Sequence, residues 1–144
     1  MRRSLAESFY RLIDLIPPAL KYRLVRTPLV YLYRSVLIKL GPPIADGYHV
    51  IKSGPLQGLK IFTGVENIRG YPSVREYILG KYETKVADRI LQLCKPGDTV
   101  LDIGAHYGYF SLMMAKAVGV TGHCIAVEAR RANYEKIQRT IQAN

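Results

Sequence analysis

The chain has 144 residues, a formal charge of +10 and a 49% hydrophobic content, which fits one globular domain with a core of its own and excludes a low-complexity chain. Residues 1–40 hold eight basic side chains against Glu7 and Asp14, so six of the ten net positive charges sit ahead of the rest. Charge gathered in that way suggests a separate docking surface and not a general property of the fold.

Region 1–45 reads as two amphipathic helices. Ser4 and Glu7 form a capping-box pattern, after which Leu5, Phe9, Leu12, Ile13 and Ile16 share one face until Pro17-Pro18 ends the helix. A second helix starts at Thr27-Pro28, gathers Leu29, Tyr33, Val36, Leu37 and Leu40 on one side, and stops at Gly41 before Pro42-Pro43. Arg34 and Lys39 interrupt the second apolar run well short of the ~20 residues of a membrane span. Glu7, Arg11 and Asp14 break any apolar core of a secretory signal, so none is expected. Two uses stay open: a cap packed on protein, or peripheral contact with an anionic bilayer.

Region 46–75 is expected to be a β-hairpin and linker. Tyr48-His49-Val50-Ile51 and Leu59-Lys60-Ile61-Phe62 flank a turn with Gly54-Pro55 and Gly58. A helix is then expected from about Tyr82, with Val86, Ile90, Leu93 and Cys94 at helical spacing before Pro96-Gly97.

The segment that carries the chemistry follows. The apolar run Thr99-Val100-Leu101 leads into Asp102-Ile103-Gly104-Ala105-His106-Tyr107-Gly108, and a helix is expected over Tyr109–Val118. This reads as a strand, a tight turn and a helix whose first amides face a ligand crevice. A second apolar run, Cys124-Ile125-Ala126-Val127, ends in Glu128, where an acid can take both hydroxyls of a ribose. Position 106 is His, so the middle glycine that admits a pyrophosphate is missing. Acidic groups suit a ligand with an ammonium and a sulfonium but no phosphate. S-adenosylmethionine is the expected ligand, and a dinucleotide is not.

From Tyr77-Ile78-Leu79-Gly80-Lys81-Tyr82-Glu83, through Cys94-Lys95-Pro96-Gly97-Asp98 and the 102–108 loop, to Glu128 and Asn133, the chain resembles the FkbM-type S-adenosylmethionine-dependent methyltransferases. It departs from their pattern at His106, Ala129 and Thr140, where they carry Asn, Pro and Asn; Asn133 and Asn144 keep the pattern of the closing helix. The resemblance implies an α/β fold, the class I methyltransferase Rossmann-like fold, with residues 76–144 as its N-terminal half. It implies donor contacts at Asp102, Gly104, Ala105, His106, Gly108, Glu128 and Glu83. Glu83 reads equally as a helix-start carboxylate.

The same resemblance implies methyl transfer to a hydroxyl of a sugar, lipid-linked glycan or secondary metabolite. The acceptor side and any catalytic base lie among later strands and loops of that fold, so none is assigned. Two parallel strands, expected at Thr99–Ile103 and His123–Val127, alone leave an open edge and a bare apolar face, and the chain by itself is expected to bind donor weakly and show no turnover. The alternatives are a non-catalytic fragment or a half-domain needing a complementing chain or a second copy. Specific nucleic-acid binding ranks below both, because no RNA or DNA module is recognisable. His49, His106, His123, Cys94 and Cys124 show no metal or Cys-His nucleophile spacing. Two cysteines in apolar strings without a secretion signal fit packing in a reducing, cytoplasmic setting.

Overall fold

The computed structural model describes residues 17, 44–64 and 72–144. Both amphipathic helices expected in region 1–45 lie outside the described residues. The chain divides into two compact units, and the one formed by residues 46–66 and 73–144 holds the hairpin, the parallel strands and the candidate site.

Strand β1 (Tyr48–Val50) pairs antiparallel with β2 (Lys60–Phe62), with Tyr48 opposite Phe62. Their rings meet edge to face at 5.0 Å. The turn buries Ile51 and Leu56 completely, as β2 does Ile61, and so forms a small core.

Helix α1 (Pro72–Leu79) spans the 75/76 boundary expected between linker and core domain. Its last turn closes through Gly80, where the N–H of Lys81 reaches the Glu76 carbonyl and that of Gly80 the Tyr77 carbonyl. The hairpin turn holds the next two carbonyls. Lys52 N–H donates to Ile78 O at 2.9 Å and Ser53 Oγ to Leu79 O at 2.5 Å. The sequence reading has no helix here, because eight residues opened by a proline give too few turns for a clear period.

Helix α2 (Thr84–Leu93) begins two residues after the expected Tyr82. The expected apolar stripe is only partly used: Ala87 is buried, whereas Val86 and Leu93 are exposed. Strand β3 (Thr99–Ile103), helix α3 (Tyr109–Val118) and strand β4 (His123–Val127) fall on their expected bounds. The two strands run parallel, with Thr99 opposite His123 and Ile103 opposite Val127. Met113 and Val118 bury the inner side of α3.

Helix α4 (Arg131–Gln142) packs along β2 and the loop after β3, burying Asn133, Lys136, Ile137 and Thr140. Phe62 N–H donates to Thr140 Oγ1 at 3.0 Å. Asn144 then acts as a peptide mimic, its carboxamide accepting from Lys60 N–H and donating to Lys60 O, both at 2.8 Å.

The sheet is two-faced. Val100, Asp102, Cys124 and Ala126 are half-buried on the side that meets α3, while Leu101, Ile103, Ile125 and Val127 face outward, Ile103 at 77% exposure. The whole is a mixed α/β arrangement of short strands and helices. Among the described residues, no helix is long and apolar enough to cross a membrane.

Candidate functional site

Parallel pairing puts the ends of β3 and β4 side by side at one end of the sheet. Gly104 and Ala105 both turn their N–H groups back to the Val127 carbonyl, at 2.8 and 3.0 Å, so the loop after β3 folds across the tip of β4. His106 comes next, in the left-handed region at φ 54°. Its N–H donates to Glu128 Oε2 at 2.8 Å.

Glu128 is held at both oxygens. Arg130 N–H donates to Oε1 at 2.9 Å, and the Asn133 carboxamide approaches the same oxygen at 3.5 Å. No side chain caps α4 at Arg130, and a carboxylate against that helix start is favoured by the helix dipole. The carboxyl therefore lies below its ordinary range, chiefly through the Arg130 N–H, with smaller help from His106 and Asn133 and some opposition from burial.

The two loop glycines differ in kind. Gly108 (φ 79°) starts α3, and a Cβ there would lie 3.2 Å from Ile137 of α4, so it serves packing. Gly104 (φ 83°) has nothing within 4 Å of a Cβ and opens onto a hollow. That space is what close approach of a ligand requires.

The hollow, of about 170 Å³, is lined by Asp102, Gly104, Ala105 and His106 on the loop side and by Tyr77, Tyr82, Tyr109 and Phe110 on the aromatic side. Asp102 is aimed by Ser111, whose hydroxyl donates to Oδ2 at 2.5 Å. Nearby, burial and then the Asp102 charge push the Cys124 thiol up from its ordinary value. The His106 Nδ1 lies 3.4 Å from the Tyr77 hydroxyl, and its ring meets Tyr107 edge to face.

Tyr77 stacks on Tyr109 at 4.9 Å and meets Tyr82 edge to face at 4.6 Å. Desolvation raises the phenols of Tyr82 and Tyr109, with the Glu83 charge adding at Tyr82, so both stay neutral at physiological pH. On the far side of the loop, buried Lys136 lies 4.4 Å from the Tyr107 ring centre with its Nζ 3.3 Å from the hydroxyl.

Of the residues expected from sequence, Asp102, Gly104, Ala105 and His106 line the hollow, and Glu128 joins them through the loop backbone. Gly108 stands behind them as a packing position. Glu83 is exposed and outside the lining; its backbone, at φ 40°, starts α2, and its carbonyl accepts from Val86 and Ala87. Tyr82 beside it lines the hollow in its place. Sequence reasoning did not single out Tyr77, Tyr109 or Phe110 as site residues. The signal was the density of aromatics around the glycine loop, which helical periodicity reads as core.

Both cysteines are free. Among the described residues, no three His, Cys, Asp or Glu side chains converge as metal ligands. No curated protein matches the chain. The sequence model of the protein-L-isoaspartate (D-aspartate) O-methyltransferase family, a class I S-adenosylmethionine-dependent methyltransferase family, matches residues 78–144, a stretch holding the loop, Glu128 and all of α4.

Proposed function

We propose that this chain binds S-adenosylmethionine at the paired tips of β3 and β4, as the donor-binding half of a Rossmann-like O-methyltransferase. The observation that carries the reading is the hydrogen bond joining His106 N–H to Glu128. It makes a glycine loop and a ribose-type acid one rigid unit at neighbouring strand ends, where open α/β sheets bind ligands. The match over residues 78–144 supports the same class.

The residues present fit the donor. Gly104 leaves open space, Asp102 supplies negative charge to a ligand with an ammonium and a sulfonium, and Glu128 sits where ribose hydroxyls can donate to it. The hollow is smaller than the roughly 300–1,000 Å³ usual for a whole small-molecule ligand, so it takes the methionine end while the nucleoside lies out toward Glu128.

Once bound, the donor supplies a methyl group already activated by its sulfonium, so orientation provides much of the rate and a base removes the acceptor's proton. The narrower resemblance to FkbM-type enzymes points to a hydroxyl of a sugar, glycan or secondary metabolite as acceptor. No base is assigned. The basic region 1–45 would bring the enzyme to an anionic bilayer carrying lipid-linked acceptors, which flotation with anionic vesicles at low salt tests.

A second reading has its own observation. The outward Leu101, Ile103, Ile125 and Val127 form an apolar sheet face of the kind that parallel strands bury. A donor-binding half completed by a further chain or a second copy accounts for that face, and predicts weak donor binding without turnover by this chain alone.

Ligand-observed NMR with S-adenosylmethionine tests the main reading. Saturable binding that is lost in Gly104→Val and weakened in Glu128→Ala is expected. A folded chain that gives no contact with the donor at millimolar ligand would overturn it.

A further inference from the structure

We propose that the aromatic side of the hollow, with Tyr82 and Phe110 as its open ring surfaces and Asp102 beside them, selects a positively charged donor over its neutral product. The inference rests on the donor-binding reading and adds a specificity element to it.

Four aromatic rings meet at one small hollow that also contains a carboxylate. Tyr77 and Tyr109 stack on one another and are buried, so they form the backing. Tyr82 and Phe110 are only half-buried, their ring centres 5.6 Å apart, and both line the hollow. A core aromatic cluster would close on itself; this one keeps ring surface at an opening.

A ring face carries partial negative charge and attracts a cation placed over it, more strongly where water is excluded. Asp102 adds a full charge held in place by Ser111. Placed against the sulfonium, such a wall binds that cation, or a charged amine in its position, and gains little from a neutral thioether of nearly the same shape; the amino-acid ammonium is common to donor and product and cancels. Methyl transfer converts the sulfonium to that thioether, so the wall would favour donor entry and product exit. Hydrogen-bond readout of the nucleoside at Glu128 cannot make this distinction, since the nucleoside is the same in both.

The test compares three ligands by NMR chemical-shift titration of the full chain: S-adenosylmethionine, S-adenosylhomocysteine and an S-adenosylmethionine analogue with an amine in place of the sulfonium. The two cations are expected to bind about three- to thirtyfold tighter than the thioether. Tyr82→Leu and Phe110→Leu are each expected to shrink that ratio, and Tyr82→Phe, which keeps the ring, to preserve it. Equal affinity for all three in the wild-type chain overturns the selection while leaving the donor site standing, and so does a uniform loss in the leucine variants. Failure of all three ligands to bind the wild-type chain overturns the donor reading and this inference with it.

Discussion

Oε2 of Glu128 lies 2.8 Å from the backbone nitrogen of His106, so the acid after one strand fixes the loop after the other. His106 is held at φ 54°, a conformation that costs a side-chain-bearing residue roughly 1–2 kcal/mol. A charge-assisted bond from a carboxylate that also grips the start of α4 offsets that cost. The strained loop and the acid therefore depend on each other.

Replacing Glu128 by Gln should lower stability at neutral pH by about 1 kcal/mol in urea unfolding, since a carboxamide has one accepting oxygen where the carboxylate uses two, one for Arg130 N–H and one for His106 N–H. Folding depresses this carboxyl below its ordinary 4.5, so its contribution is complete above that value and falls away as pH drops through the folded value. The stability gap between wild type and Glu128→Gln should thus be flat near neutrality and close in acid. A gap that widens on acidification would contradict the assignment.

Gly104→Ala and Gly108→Ala separate ligand space from packing. Both lie at positive φ and should lose about 1–2 kcal/mol for that reason alone. Only Gly108→Ala must also push against Ile137, 3.2 Å from the new methyl, so it should unfold at the lower urea concentration. The larger loss of donor affinity should come from Gly104→Ala. Reversal of that order in paired unfolding and titration curves would show that the open space at Gly104 has no bearing on ligand.

Ser111→Ala leaves the half-buried Asp102 without its 2.5 Å donor. The expected cost is about 1–3 kcal/mol, and cation affinity should fall because the carboxylate is no longer held at one angle. Restoring a hydroxyl with Ser111→Thr should recover most of the loss, measurable by thermal unfolding and by the same titrations.

Asp102 also acts on a neighbour. The Cys124 thiol is raised above 9.0, first by burial and then by the Asp102 charge. Asp102→Asn should lower it, so alkylation of Cys124 at mildly alkaline pH should speed up, with Cys94 in the same sample as reference. Intact-peptide mass spectrometry reads both rates, and an unchanged Cys124 rate would place the Asp102 charge too far away to matter.

The strand-loop-helix core was legible because its signals are local. Asp102 to Gly108 names its own turn, and the apolar runs at residues 99–101 and 124–127 locate β3 and β4 to within two residues. The hairpin was legible from Gly54-Pro55 and Gly58 for the same reason. Helix α1 was not, since eight residues ending at Leu79 are held by Lys52 and Ser53 from another element. The aromatic wall was hidden likewise: Tyr77 and Tyr109 are brought together by packing, and sequence spacing says nothing of a ring from α1 stacking on one from α3. For α2 the periodicity misled in detail, because Val86 and Leu93 follow the helical repeat yet stay exposed. Their stripe needs a partner surface that the described residues do not supply.

The bare face of β3 and β4 carries the last prediction. Leu101 lies opposite Ile125 and Ile103 opposite Val127, all four about half exposed or more. A contiguous exposed apolar patch of this kind marks a surface of association. The chain should therefore self-associate with rising concentration in sedimentation velocity runs. Leu101→Lys with Ile125→Glu should abolish that association and, because both side chains already meet solvent, change unfolding stability by no more than about 0.5 kcal/mol. The opposite charges sit across from each other in register and can pair, which keeps the variant from repelling itself apart. A wild-type chain that stays monomeric at high concentration, or a variant that unfolds, would show that this face is already satisfied within the chain.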